Sequence, residues 1–198
     1  MRCFVAQHDK KYRHMENRIE LTTPISDEII KNLKAGDMAY ISGTIYTGRD
    51  AAHKKMCELL AKGEPMPFDF EGATIYYAGP CPAKPGTPIG SVGPTTSGRM
   101  DLYSPQLIAK GLKVMIGKGL RNKEVIDAIV EHSGIYFAAI GGAAALMGKS
   151  VISAEVIAFE ELGTEAIRRL VVKNLPVIVA IDSQGKNMYE EGRKNYEL

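Results

Sequence analysis

Three cations in this chain stand where the backbone turns from strand or loop into helix, and two hydroxyls accompany one of them. Arg49 follows Thr47-Gly48 and directly precedes Asp50. Arg99 lies in Gly93-Pro94-Thr95-Thr96-Ser97-Gly98-Arg99-Met100-Asp101, and Lys118 sits between Gly117 and Gly119. A helix N-terminus carries unsatisfied amides and a partial positive charge, so anions settle there. An arginine fork at the same end adds geometric selectivity for carboxylate or phosphate. Flanking glycines let a ligand approach the backbone closely. Plainer roles exist for each group: Arg49 with Asp50 and Arg99 with Asp101 as surface ion pairs, Lys118 as a solvated turn cation, Thr95 and Thr96 as turn or cap residues. His53, four residues beyond Arg49, reads as structural rather than catalytic.

Arg99 ends a segment in which ten of the twenty residues from Gly79 to Gly98 are Gly or Pro. Proline lacks the amide hydrogen and glycine is conformationally too free, so the segment cannot run as regular helix or strand. A loop this long inside a compact domain is usually a binding or active-site loop.

Alternating strands and helices must position these groups. Ser26 is expected to cap a helix with Asp27 and Glu28 in its first turn, Ile29, Ile30 and Leu33 facing inward, and Gly36 at its end. Met38 to Ile45 reads as a strand. Asp50 reads as the N-cap of a helix to about Lys62, closed by Gly63. A strand at Ala73 to Ala78 leads into the long loop, and Ser104-Pro105 reads as cap and first residue of a helix ending near Gly111. Lys113 to Ile116, Ile135 to Ile140 and Val151 to Phe159 read as strands. Asn122 is expected to cap a helix carrying Val125, Ile126, Ile129 and Val130, and Gly141-Gly142 to open a small-residue helix through Met147. Thr164 is expected to cap a short helix, with Leu170 to Asp182 as β segments broken at Asn174 to Pro176 and followed by the turn Asp182-Ser183-Gln184-Gly185.

At 198 residues the chain fits one α/β domain, expected over 16–198 after an N-terminal extension at 1–15. A net charge of +2 argues against nucleic acid or an anionic membrane as partner, so any attraction for anions is local. No apolar run approaches the roughly 20 residues that span a bilayer. The N-terminus lacks a signal-peptide pattern, and a cytoplasmic protein is expected. Cys3, Cys57 and Cys81 are irregularly spaced, with no C-x-x-C pair, which argues against a disulfide framework and against a metal site made within this chain. Cys3, His8 and His14 read as part of a solvated basic leader. Gly117-Lys118-Gly119 lacks the hydroxyl of a phosphate-binding Gly-Lys-Ser/Thr loop.

The runs Gly43-Thr44-Ile45-Tyr46-Thr47-Gly48-Arg49-Asp50-Ala51-Ala52-His53, Gly79-Pro80 with Pro82-Ala83 and Pro85-Gly86, and Gly93 to Asp101 together resemble the class I fumarase family. Ile116-Gly117-Lys118-Gly119 and Gly141-Gly142-Ala143-Ala144 do so as well. The resemblance is to the β subunit, equivalent to the C-terminal domain of the single-chain enzymes, and L-tartrate dehydratase β subunits belong to the same group. It covers roughly Glu16 to Asn187 and leaves out the leader before Met15. It implies a swivelling β/β/α three-layer domain that docks over a separate α subunit, in a heterotetramer with two copies of each chain. It further implies a [4Fe–4S] cluster held by cysteines of the α chain with one iron open, and none held by this one. The substrate-gripping residues would be Arg49, Thr95, Thr96, Arg99 and Lys118, with Thr95 as the base that moves the carbon-bound proton. The implied reaction is reversible hydration of fumarate to L-malate. Dehydration of tartrate, or a non-catalytic dicarboxylate-binding module, is the alternative.

Overall fold

The computed structural model describes residues 18–139 and 144–194. The leader with Cys3, His8 and His14, and the Gly141-Gly142-Ala143 run, lie outside the described residues. Within them the elements follow the expected alternation: β1 (Ile19–Thr22), α1 (Asp27–Asn32), β2 (Met38–Thr47), α2 (Asp50–Lys62), β3 (Thr74–Tyr76), a 3-10 turn (Ser97–Met100) and α3 (Ser104–Ala109). Then come β4 (Val114–Gly117), α4 (Lys123–Glu131), β5 (Ile135–Ala139), α5 (Ala144–Lys149), β6 (Val151–Ala158), a second 3-10 segment (Glu160–Glu165), β7 (Ile167–Ile181) and α6 (Met188–Lys194).

Local signals decide several boundaries. The Ser26 hydroxyl accepts from the Ile29 amide, and the Asn122 side chain accepts from the Val125 amide at 3.0 Å, so both caps form as expected. Gly63 takes the left-handed conformation and donates to the carbonyls of Leu59 and Leu60. Other boundaries differ. Helix α1 closes at Leu33 rather than Gly36, and Ile29 is 43% exposed because only Ile30 and Leu33 fall on the buried stripe. Arg49, not Asp50, is the cap of α2, which places the Asp50 carboxylate inside the first turn, where the helix dipole favours it. Ser104 is the first residue of α3 rather than its cap; its hydroxyl donates back to the Met100 carbonyl at 2.9 Å.

The larger differences lie near the C-terminus. Thr164 caps no helix. It lies inside the second 3-10 segment, and the chain passes straight into β7. Nor does β7 break at Asn174 to Pro176: it is continuous over Ile167–Ile181. Asn174 adopts φ 54°, and between Ile41 and Gly43 of β2 the register on β7 skips from Leu175 to Val172. A bulge absorbs the extra residue. Pro176, which has no amide to donate, falls where neither β5 nor β6 pairs along that edge.

Among the described residues the strands form one sheet in the order β1-β2-β3-β4-β5-β7-β6, and a further pairing of β2 with β7 closes it on itself. Strands β1 to β5 run parallel, while β7 is antiparallel to β2, β5 and β6. Alternation along each strand divides the core in two. Ile41, Ile45, Tyr76, Val114, Ile116, Ile135, Phe137, Leu170 and Val179 pack with Ile30 and Leu33 of α1 inside the closed sheet. Ile75, Tyr77, Met115, Tyr136 and Ile181 face the other way, against Met56 of α2, Leu107 and Ile108 of α3, and Val125 and Ile129 of α4. Strands β3 and β4 are therefore buried along their whole length, as parallel strands covered on both faces are. No helix among the described residues is long and apolar enough to cross a membrane.

Candidate functional site at the carboxyl edge of the parallel strands

The parallel arrangement puts the chain leaving β2, β3 and β4 on one edge of the closed sheet, the carboxyl edge at which parallel barrels carry their functional loops. Arg49 follows β2, the Gly- and Pro-rich loop follows β3, and Lys118 follows β4. The loop is tied to this edge at both its ends. Ala78 bridges Pro94, the Thr95 amide donates to the Tyr77 carbonyl at 2.7 Å, and Thr96 bridges Lys118. Arg99 then reaches across to α2, donating from Nη2 to Asp50 Oδ2 at 2.8 Å. The structure thus brings Arg49, Thr95, Thr96, Arg99 and Lys118 to one edge through contacts between three consecutive strand–helix junctions.

The ion pairs are not those suggested by adjacency. Arg49 pairs with Glu165 at 3.1 Å, Arg99 with Asp50, and Asp101 with Arg121 at 2.6 Å. The N-terminus of α2 also already holds a carboxylate, because Glu165 Oε2 accepts from the Ala51 amide at 3.3 Å. That amide is therefore already occupied. Lys118 is exposed, and neither threonine hydroxyl has a hydrogen-bond partner among the described residues.

The backbone at Lys118 is held on both sides. Ser97 donates its amide to the Lys118 carbonyl at 2.9 Å, and the Lys118 amide donates to Ser97 Oγ at 3.0 Å. The Tyr136 hydroxyl lies 2.9 Å from Ser97 Oγ and 3.0 Å from the Gly119 carbonyl. One proton arrangement satisfies all three contacts: Ser97 donates to Tyr136, which donates to Gly119. The close approach of Ser97 explains Gly117, where a Cβ would collide with Ser97 Oγ and lie 2.9 Å from a ring carbon of Tyr77. Gly117→Ala is expected to cost roughly 1–3 kcal/mol of overpacking. Chemical denaturation measures this, and an unchanged midpoint contradicts the contact.

His53 is fully buried beneath Arg49. Its Nδ1 lies 2.8 Å from the Arg49 carbonyl, which can only accept, so Nδ1 carries the proton. Its ring meets Tyr77 edge-on, with centroids 5.1 Å apart. Desolvation lowers its pKa to about 4, with nearby Arg121 acting in the same direction, so the imidazole is neutral at physiological pH. Because unfolding restores the ordinary value near 6.5, the unfolded chain binds the proton more readily. Stability held above pH 6.5 is accordingly lost as pH falls toward about 4, by up to about 3 kcal/mol from this group. Unfolding free energies of the parent and His53→Gln across that window check this; parallel pH profiles contradict it.

Sequence reasoning missed Glu165 and Arg121. Glu165 is remote from Arg49 in sequence and meets it through the approach of the β6–β7 connection to α2, so no local pattern marks it. Arg121 stands beside the Asn122 cap like an ordinary surface residue, yet its side chain is 0% exposed. Its guanidinium donates to Asp101 and to Ser104 Oγ and lies over the rings of Tyr77 and Tyr136. Among the described residues no His, Cys, Asp and Glu side chains gather as metal ligands. The half-buried Cys57 thiol faces the Tyr103 carbonyl, burial pushes its pKa up, and Cys81 is exposed. These residues do not fit a [4Fe–4S] cluster.

Comparison with known proteins bears on the whole surface. A protein of Methanocaldococcus jannaschii, provisionally named L(+)-tartrate dehydratase subunit beta, is 42% identical over 175 residues, covering 85% of this chain and 90% of its own length. The aerobic class I fumarate hydratase of Escherichia coli K12 is 38% identical over 179 residues, 88% of this chain. Fumarate hydratase 2 of Leishmania major is 37% identical over the same length. The chain spans about a third of the length of these fumarate hydratases, 32% and 31% respectively. The family model described as Fumarase C-terminus matches residues 3–192, reaching into the leader that sequence reading set outside the resemblance. A match of that extent, over the strands and junctions that carry the cations, means that the chain belongs to the fumarase C-terminus family.

Proposed function

We propose that this chain is the β subunit of a class I iron–sulfur hydro-lyase that reversibly hydrates fumarate to L-malate in the cytoplasm, together with a partner α subunit. The observation that carries the reading is the gathering of Arg49, Arg99 and Lys118, with the Thr95 and Thr96 hydroxyls, at one edge of the sheet. A diacid needs cations at two carboxylates, and these come from three neighbouring junctions held together by Asp50 and Ser97. The relative in Methanocaldococcus jannaschii, matched over 90% of its length, supports a separate subunit. In this reading residues 16–198 form the one catalytic domain, of the swivelling β/β/α kind, in a heterotetramer with two copies of each chain.

Dehydrating malate requires removing a weakly acidic proton from the carbon next to a carboxylate. Arg49, Arg99 and Lys118 lower that barrier by stabilising the charge that builds on the carboxylate as the proton leaves. Thr95 is the group placed to move that proton, assisted by an acidic residue of the α subunit. A hydroxyl is a weak base, so Thr95 depends on the adjacent cations to favour its deprotonated form. A [4Fe–4S] cluster held by the α subunit would supply Lewis-acid chemistry toward the hydroxyl.

A second reading, tartrate dehydration, is favoured by the name of the same Methanocaldococcus relative. The cationic grip serves both substrates. Fumarate hydration and tartrate dehydration are to be assayed with this chain alone and after anaerobic reconstitution with an α subunit. Activity only in the mixture supports the subunit reading, and the preferred substrate chooses between the two diacids. A formed complex with a loaded cluster and no activity on either would refute both.

A further inference from the structure

Arg49 lies in a slot whose walls come from two remote parts of the chain. A Cβ on Gly79 would stand 3.1 Å from Arg49 Cδ and Nη1, and 3.1 Å from the Thr164 carbonyl. On the other side Glu165 divides its carboxylate, with Oε1 at 3.1 Å from Arg49 Nη2 and Oε2 on the Ala51 amide. Both side chains are 22% exposed, so solvent screens the pair less than a surface pair. The wall that carries Glu165 is itself braced. The Arg168 guanidinium donates to the carbonyls of Gly163, Thr164 and Ala166 at 2.9, 3.4 and 3.3 Å. Its own amide donates to Thr47 Oγ1 at the end of β2, and Lys55 of α2 pairs with Glu161. The second 3-10 segment is therefore fixed to the elements on both sides of Arg49.

We propose that Glu165 is the positioning residue of Arg49: braced by Arg168, it holds the guanidinium across Gly79 in the orientation that receives a substrate carboxylate, and so sets affinity for the diacid. This rests on Arg49 being a substrate-binding residue. With one oxygen on the Ala51 amide, Glu165 stays in place when the diacid arrives. The guanidinium has five N–H donors, and the contact with Glu165 leaves others for a second carboxylate. Glu165 thus acts through Arg49 and does not compete with the substrate.

Two measurements test this. In the full-length chain labelled with nitrogen-15 arginine, the Arg49 Nε–Hε resonance, assigned by its loss in Arg49→Lys, is expected to be resolved. It should collapse toward the averaged position of mobile arginines in Glu165→Gln. In the assembled enzyme, Glu165→Gln should raise KM for the diacid roughly tenfold with kcat within about twofold, and add nothing in an Arg49→Ala background. Arg168→Lys should raise KM in the same direction by less, which keeps a readout should Glu165→Gln fail to assemble. An unchanged or lowered KM for Glu165→Gln, beside a raised KM for Arg49→Ala, overturns the role of Glu165 while leaving the site intact. A normal KM for Arg49→Ala removes Arg49 from the site, and this inference with it.

Discussion

Arg99→Ala in the assembled enzyme is expected to reduce turnover at least tenfold while leaving the melting temperature of this domain within a few degrees of the parent. The side chain is 47% exposed and its described ion-pair partner is Asp50, itself one-third exposed. Exposed pairs of this kind contribute roughly 0–1 kcal/mol to stability. A charge-assisted hydrogen bond to a substrate carboxylate contributes more, roughly 1.5–3 kcal/mol, which sets the tenfold floor. Alanine has a second effect. It leaves the Asp50 carboxylate uncompensated beside the diacid, and Asp50 Oδ1 is already buried without a partner among the described residues. Repulsion then adds to the lost attraction. Arg99→Lys should fall between the two, because an ammonium restores charge without the planar fork. Steady-state kinetics beside thermal unfolding separates the effects; near-normal turnover in Arg99→Ala removes this arginine from the site.

Asp101→Ala is expected to do the reverse of a surface change and destabilise the domain by about 3–5 kcal/mol. Asp101 accepts from Arg121 Nε and from the Asn122 amide, both at 2.6 Å, and Arg121 is wholly buried. Removing the carboxylate strands a buried guanidinium among Tyr77, Tyr136 and Ser104. For a domain of this size each kcal/mol lowers the melting temperature by roughly 2–4 °C, so the loss should be of the order of 10 °C. Adding Arg121→Met should recover part of it, since the stranded charge is then gone. A double variant no better than Asp101→Ala would show that the cost lies elsewhere. The Asn122 cap and the 3-10 turn bearing Arg99 both lean on Asp101, so activity should also suffer.

The contrast between these two arginines shows which features could be read from the chain. Caps such as Ser26, Asn122 and Gly63 were legible because their partners lie within four residues. The junctions bearing Arg49, Arg99 and Lys118 were legible because glycine and proline punctuate them. Ion-pair partners were not, because they are chosen by proximity in space. Adjacency suggested Arg49 with Asp50 and Arg99 with Asp101; the fold moves each acid to another arginine and draws Glu165 from the far end of the chain. Asn174-Leu175-Pro176 carries every local mark of a break, yet pairing of β7 with β2 on one edge and with β5 and β6 on the other carries the strand through it. Thr164 lost its expected helix to the same ladder.

Strand β7 also sets an order of events. It closes the sheet, it is the last strand among the described residues, and β2, its partner along nearly its whole length, lies far toward the N-terminus. Pairing over such a separation pays its loop-closure entropy before any contact repays it, which slows folding. On the ribosome, Arg49, Arg99 and Lys118 therefore emerge well before the strand that joins their scaffold, and Glu165 emerges just ahead of it. A translation product stopped short of Ile167 would carry all three cations and no closed sheet to hold them. The scaffold of the three cations thus closes late, once β7 has left the exit tunnel and can pair with β2.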